Sequence, residues 1–189
     1  MSGDPRAFEG LVDAYIDRLF SFAYRLSGDA SVAEDAVQDA FVKAWKGIDS
    51  FDVDRSFKSW IFSITRNATI DIMRKRRDVS FSSLDDGAGD DSSFADDVAD
   101  ETPLPEMAFD EGVDGGVVKI VLSGMGERDR SIVLLHDVEG MTFEQISVLV
   151  DSPMNTVKSR YRRALLKLRA ELGGSREAMH QKPDLKRIP

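Results

Sequence analysis

With 189 residues, 42% of them hydrophobic, the chain can bury one large core or two small ones. It has no cysteine, which excludes disulfides, thiolate zinc sites and a thiol nucleophile. No apolar run approaches the ~20 residues of a bilayer span and the opening MSGDPRAFEG lacks signal-peptide character, so a cytoplasmic protein without membrane insertion is expected.

The net charge of −9 is unevenly spread: −5 over residues 1–57, +5 over 58–77, −13 over 78–116, −3 over 117–154 and +7 over 155–189. Two basic segments therefore flank an acidic middle, and the overall sign does not argue against a nucleic-acid partner. Asp4-Pro5 is a good helix start. Phe8, Leu11, Val12, Tyr15, Leu19, Phe22, Ala23 and Leu26 then recur at helical spacing until Gly28. Ser31 with Glu34 reads as a capping box for a second helix. Its apolar stripe is Ala33, Ala36, Val37, Ala40, Phe41, Ala44, Trp45 and Ile48. The far face carries Glu34, Asp35, Gln38, Asp39 and Lys43, with no obvious internal partner; a solvated acidic face is its simplest reading.

Ser56 can cap a third helix over FKSWIFSITRNATIDIMRKRR, in which Phe57, Trp60, Ile61, Ile64 and Ala68 repeat at 3/4 spacing. Lys58, Arg66 and the run Arg74-Lys75-Arg76-Arg77 stand against Asp71 alone. Aromatic rings beside cations suit single-stranded nucleic acid, on which bases stack. Equally, Phe57 and Trp60 can be core and the terminal cations can complement the helix dipole. The aromatics read as core and the four-cation run as a nucleic-acid contact.

Residues 78–116 hold thirteen acids and no Lys or Arg. So little apolar surface cannot offset ordering entropy, and a disordered linker is expected. The run from Asp85 to Asp91 lacks the spacing and distal Glu of a calcium loop, so no metal is expected.

Helical periodicity returns at Val117, Val118, Val121 and Leu122, then over Glu127–Val138 with Ile132, Val133 and Leu135 inside and Gly140 at the C′ position. His136 is isolated and reads as packing. Thr142 and Gln145 form a capping box ahead of a short helix with Ile146, Leu149 and Val150 on one face. Asp151-Ser152-Pro153 breaks it, with Ser152 as N-cap and Pro153 at the first position of the next helix. That helix sets Val157, Tyr161, Ala164, Leu165 and Leu168 against Lys158, Arg160, Arg162, Arg163, Lys167 and Arg169, with no acid between Asn155 and Ala170. Solvated helices usually interleave both signs, so an all-cationic face points to an outside polyanion, and the two helices to a helix-turn-helix on DNA. The tail from Gly173 should fray. No Gly-rich phosphate loop, GxSxG or paired histidine marks an enzyme, and neither catalytic residues nor a cofactor are expected.

Taken in order, AEDAVQDAFVKAWKGIDSF, FKSWIFSITRNATIDIMRKRR and ERDRSIVLLHDVEGMTFEQISVLVDSPMNTVKSRYRRALLKLR resemble the core-binding, −10-reading and −35-binding segments of the extracytoplasmic-function class of bacterial sigma factors. The resemblance implies an all-α fold of two small helical domains: a region 2-like bundle over residues 1–77 and a region 4-like helix-turn-helix over 117–173. An acidic linker over 78–116 would join them, and a basic tail over 174–189 would follow. It implies that Asp35, Gln38 and Asp39 face the clamp helices of the polymerase largest subunit, with the flap region as a further contact. Phe51 and Asn67 would receive a flipped −10 base, beside Arg66, Arg74, Lys75, Arg76 and Arg77. Asn155, Thr156, Lys158, Ser159, Arg160, Arg162 and Arg163 would meet the −35 duplex. Core RNA polymerase, promoter DNA and an anti-sigma factor are the implied partners. Three positions depart from the family pattern: Asp151 and Asn155 where glycine is common, and Ser152 where an aliphatic residue is. A stand-alone DNA-binding regulator and a sigma mimic that sequesters an anti-sigma factor are the rival readings.

Overall fold

A computed structural model of the chain describes residues 4–82 and 124–180, all its regular elements being helical. Helix α1, Pro5–Ser27, starts where the Asp4 carboxylate accepts from the Arg6 N–H and stops at Gly28, whose φ of 79° suits a residue without a Cβ. Helix α2, Ala30–Gly47, is capped by Asp29, which accepts from the N–H groups of Ser31 and Val32. The expected Ser31–Glu34 capping box is thus replaced. An ionised carboxylate upstream takes the orphan donors, and the Ser31 hydroxyl accepts from Arg76 instead. A 3₁₀ turn over Ile48–Ser50 leads to α3, Phe57–Ser82. Ser56 caps α3 as expected, its hydroxyl accepting from the Ser59 N–H, and the helix runs past Arg77 into the segment read from sequence as linker.

In the second half, α4, Glu127–Val133, continues as a π-helical turn over Leu134–Val138 and ends at Gly140, φ 65°. Helix α5, Phe143–Leu149, carries the complete Thr142–Gln145 capping box. Asp151 turns the chain at φ 50°, a left-handed conformation that Asp tolerates better than most side chains. Helix α6, Met154–His180, begins one residue later than expected. The Pro153 carbonyl accepts the Val157 N–H, so Pro153 sits at the cap, and the Ser152 hydroxyl turns to the Val150 carbonyl. At its far end α6 continues through Gly173 and Gly174, where fraying was expected; the flanking Ala170-Glu171-Leu172 and Arg176–Met179 are good helix formers. The helical pattern expected at Val117–Leu122, the run Asp85–Asp91 and residues 181–189 lie outside the described residues.

Helices α1–α3 form one unit. Small side chains on α2 (Ala33, Ala36, Ala40 and Ala44, all fully buried) let α1 and α3 approach closely, and Phe22 meets the fully buried Phe62 edge-on at 5.3 Å. Burying a side chain of that size stabilises by about 1.5–3 kcal/mol. Helices α4–α6 form a second unit around Ile132, Leu135, Ile146, Val157, Ala164 and Leu168, and its buried side chains join those of the first unit in one apolar cluster. His136 packs as expected: its ring stacks on Phe143 at 4.2 Å and Nδ1 lies 2.8 Å from the Met141 carbonyl.

Tyr161 closes this second core and donates its hydroxyl to Asp137 at 2.7 Å. Burial pushes the Asp137 carboxyl up, opposed in part by that hydrogen bond. A carboxyl raised above its unfolded value contributes stability that is full below the unfolded pKa, about 3.9, and is lost as pH rises through the folded one. Asp137→Asn keeps an acceptor for Tyr161 and removes the charge. Its urea midpoint should therefore fall less than the parent's as pH rises from about 4. Parallel midpoint–pH curves for the two proteins would show that the Asp137 charge does not set this dependence.

Candidate nucleic-acid interface

The two units meet through polar contacts that join elements distant in sequence. Arg130, 8% exposed, donates to the Leu26 carbonyl at 2.6 Å and to the Met125 carbonyl at 2.8 Å. Leu26 lies in the last turn of α1, where carbonyls lack intrahelical partners and the dipole favours a cation. The buried Glu139 carboxylate accepts from Arg18 at 2.6 Å and lies 3.7 Å from the Lys58 ammonium, which also donates to the Glu139 carbonyl. Burial and Arg18 lower the Lys58 pKa; Glu139 opposes both. Arg66 Nε donates to Ser131 Oγ at 3.0 Å, and Arg77 pairs with Glu127.

Between the units lies a cleft of about 540 Å³, walled by Arg66 and Arg74 of α3, Arg128 of α4 and Arg160 of α6, and lined by Ile70, Ile132 and Val150. Burial, then the neighbouring Arg128 and Arg160 guanidiniums, holds Arg66 below the usual arginine range.

The residues singled out from the sequence distribute over three places. On α2, Asp35 and Gln38 are exposed and Asp39 is half-buried. The acids do have internal partners, contrary to expectation: Arg76 reaches Asp35 at 3.2 Å and Asp29 at 3.3 Å, and Lys43 pairs with Asp39 at 2.7 Å. The end of α3 lies beside the start of α2, a neighbourhood that local spacing does not reveal. Such exposed pairs are worth little and are readily exchanged for an outside partner.

Phe51 packs on Trp60 at 4.8 Å and on Phe57 at 5.7 Å, so all three rings belong to one aromatic cluster. Asn67 lies about two turns further along α3, facing the cleft and accepting from Arg66. No ring contact or hydrogen bond joins Phe51 to Asn67 directly. Of the four-cation run, Arg76 and Arg77 are engaged in ion pairs, while Arg74 and Lys75 are exposed and pair with no described residue.

On α6, helical spacing sets Asn155, Ser159, Arg162 and Arg163 opposite the buried stripe, with Thr156 beside them. Ser159 donates back to the Thr156 carbonyl, and Lys158 is exposed at the flank. Arg160 departs from the stripe: it turns to Asp129 at 3.3 Å and walls the cleft. Sequence reasoning missed Arg18, Arg128, Arg130 and Glu139. Only Arg130 carried a local signal, a charge one helical turn before the apolar Val133 and Leu134.

Two family models match the chain, Sigma-70 region 2 over residues 11–79 and Sigma-70 region 4 over 121–168. The fold and its two units thus define a sigma factor. The chain is 29% identical over 170 residues to ECF RNA polymerase sigma factor SigW of Bacillus subtilis, covering 90% of this chain and 91% of that protein. It is 31% identical over 176 residues to RNA polymerase sigma factor CnrH of Cupriavidus metallidurans, covering 93% and 92%. The solved structure of the sigma factor RpoE from Bartonella quintana, in complex with the anti-sigma factor NepR, superposes with a TM-score of 0.66 at 30% identity, covering 89% of this chain and 98% of that one. The chain belongs to the extracytoplasmic-function family of RNA polymerase sigma factors.

Proposed function

We propose that this sigma factor divides its part in transcription initiation among three faces. Asp35, Gln38 and Asp39 on α2 engage the largest-subunit clamp helices of core polymerase, and the second unit engages the flap region. Arg66, Asn67 and the Arg74–Arg77 run on α3, with Phe51, read and hold the −10 strand. Asn155, Thr156, Lys158, Ser159, Arg160, Arg162 and Arg163 on α6 read the −35 duplex. The domains would be residues 1–77 and 117–173, with an acidic linker over 78–116 and a basic tail over 174–189. The family is one of non-enzymatic initiation factors, and this chain needs no cofactor or chemistry of its own. No helix among the described residues is long and apolar enough to cross a membrane, which supports a cytoplasmic protein. RpoE was solved with an anti-sigma factor, which supports a partner of that kind here.

The observation that carries this reading is the opposition of charges: an exposed acidic face on α2 against cationic faces on α3 and α6. Sigma-named relatives along nearly the whole chain run against the stand-alone regulator and the mimic. Because Arg66 is half-buried in the cleft between the units, its part in −10 reading requires the units to part, whereas Asn67 is already exposed. Run-off transcription with purified core polymerase and a promoter library tests the whole reading; no promoter-dependent product would end it. For the α2 face, Asp35→Lys with Asp39→Lys should weaken binding to core polymerase about tenfold or more while helicity is kept. Unchanged affinity in a competition assay with the parent sigma factor would remove that assignment.

A further inference from the structure

The cleft between the units holds more positive charge than its own side chains balance. Four guanidinium groups from three helices wall it, against Asp71 and Asp151. Neither acid lies within ion-pair distance of a described cation. Arg160 is satisfied by Asp129, while Arg66 is held by the neutral Ser131 and Asn67. The Arg74 and Arg128 guanidinium groups make no ion pair or hydrogen bond with a described residue, and both residues are exposed at the rim. Like charges gathered here repel: burial first, then the Arg128 and Arg160 charges, hold Arg66 below the usual arginine range, with Glu127 opposing them. An anion would relieve the repulsion. The start of α6, a helix of 27 residues, opens beside the cleft next to Ser152 and adds a positive dipole end.

Size and shape narrow the anion. The volume of about 540 Å³ falls within the ~300–1,000 Å³ of small-ligand sites. Four forked donors suit several phosphates in a row better than one. Ile70, Ile132 and Val150 give the same cleft an apolar surface on which a ring could rest.

We propose that this cleft binds a small ligand carrying a chain of two or three phosphates, and that the ligand holds the units closed by bridging α3 to α4 and α6. The chain could come from a nucleoside polyphosphate or from inorganic polyphosphate. The site rests on the closed arrangement of the units and not on the transcriptional reading, so the two can fail separately.

Titration calorimetry of the full chain at fixed low ionic strength, with tripolyphosphate and separately with ATP, tests it. Saturable binding at one site is expected, with a thermal midpoint that rises with ligand. Arg128→Ala, which breaks no described contact, should weaken binding about tenfold or more, and Arg128→Lys should restore part of it. Lys167→Ala, exposed on α6 outside the cleft, should bind as the parent does. ATP binding about tenfold tighter than tripolyphosphate would place a base on the apolar surface; equal affinities would make the phosphate chain the whole ligand. Absence of saturable binding by either probe overturns the proposal. So does an equal loss in Arg128→Ala and Lys167→Ala, which would spread the binding over the cationic surface at large.

Discussion

Glu139→Lys should part the two helical units and raise the affinity of the free protein for promoter DNA. The Glu139 side chain is only 6% exposed, whereas Arg18 and Lys58 around it are 47% and 27% exposed. The carboxylate is thus the desolvated member of the triad, and the arrangement holds only because two cations compensate it. Reversing its sign puts three cations around one buried point. Breaking a buried pair in this way costs about 3–5 kcal/mol, far more than the exposed Arg77–Glu127 pair can offset. Lys58 sharpens the effect: burial and Arg18 already disfavour its charge, and Glu139 is what opposes them. Arg130 on the Leu26 carbonyl, Arg66 on Ser131 and the Arg77–Glu127 pair would remain as the polar anchors. Separation exposes Arg66, half-buried in the closed arrangement, and opens the cleft beside the already exposed Asn67, the α3 groups assigned to −10 contacts. Small-angle scattering should show a larger radius of gyration, and fluorescence anisotropy tighter binding of a promoter fragment. Glu139→Gln, which removes the charge without reversing it, should fall between. A lower thermal midpoint with unchanged radius and unchanged DNA affinity would confine Glu139 to holding the second unit together.

Why Glu139 escaped the sequence while α1 did not is a matter of range. The apolar positions of α1, Leu19, Phe22, Ala23 and Leu26, recur at local spacing, and all four are buried. The Thr142–Gln145 capping box and the Gly28 and Gly140 stops are equally local, because each satisfies backbone groups within one turn. Glu139 instead sits next to a helix-ending glycine, where an acid normally reads as solvated. Its partner side chains lie 121 and 81 residues away. No periodicity reports a pairing of that separation. Arg160 marks the same limit within one helix. A run of cations reads as one stripe, but 3.6 residues per turn carries Arg160 towards Asp129 and leaves Arg163 exposed. On α2 the acidic face was legible and its intramolecular engagement was not. Arg76 reaches Asp35 because the end of α3 packs beside the start of α2, a tertiary pairing with no local signal. At the caps, two acceptors competed for one role: Asp29 displaced Ser31 because a carboxylate oxygen accepts more strongly than a hydroxyl.

The recognition helix gives the other large effect. In holoenzyme, Arg162→Ala and Arg163→Ala should each weaken binding to a −35 duplex, and the two losses should differ in kind. Both residues lie on α6 opposite Val157, Tyr161, Ala164 and Leu168, whose burial fixes which way this face points. Their neighbours Asn155 and Ser159 are short, so an arginine fork can pass beyond them to a base edge or a phosphate. A guanidinium that meets a phosphate contributes through counterion release. Its removal should lower affinity on every sequence and flatten the salt dependence by about one unit of slope. A guanidinium that meets guanine O6 and N7 contributes a directional pair of bonds; its removal should cost about 1–3 kcal/mol, chiefly on the preferred sequence. Binding measured on matched and scrambled −35 duplexes over a range of salt separates the two cases for each residue. Arg160→Ala provides an internal contrast, because Arg160 is committed to Asp129 and walls the cleft when the units are closed. Its loss should affect −35 affinity less than that of Arg163. If both Arg162→Ala and Arg163→Ala hold promoter DNA as tightly as the parent at every salt concentration, α6 is not the −35 reader and its cationic face serves another polyanion.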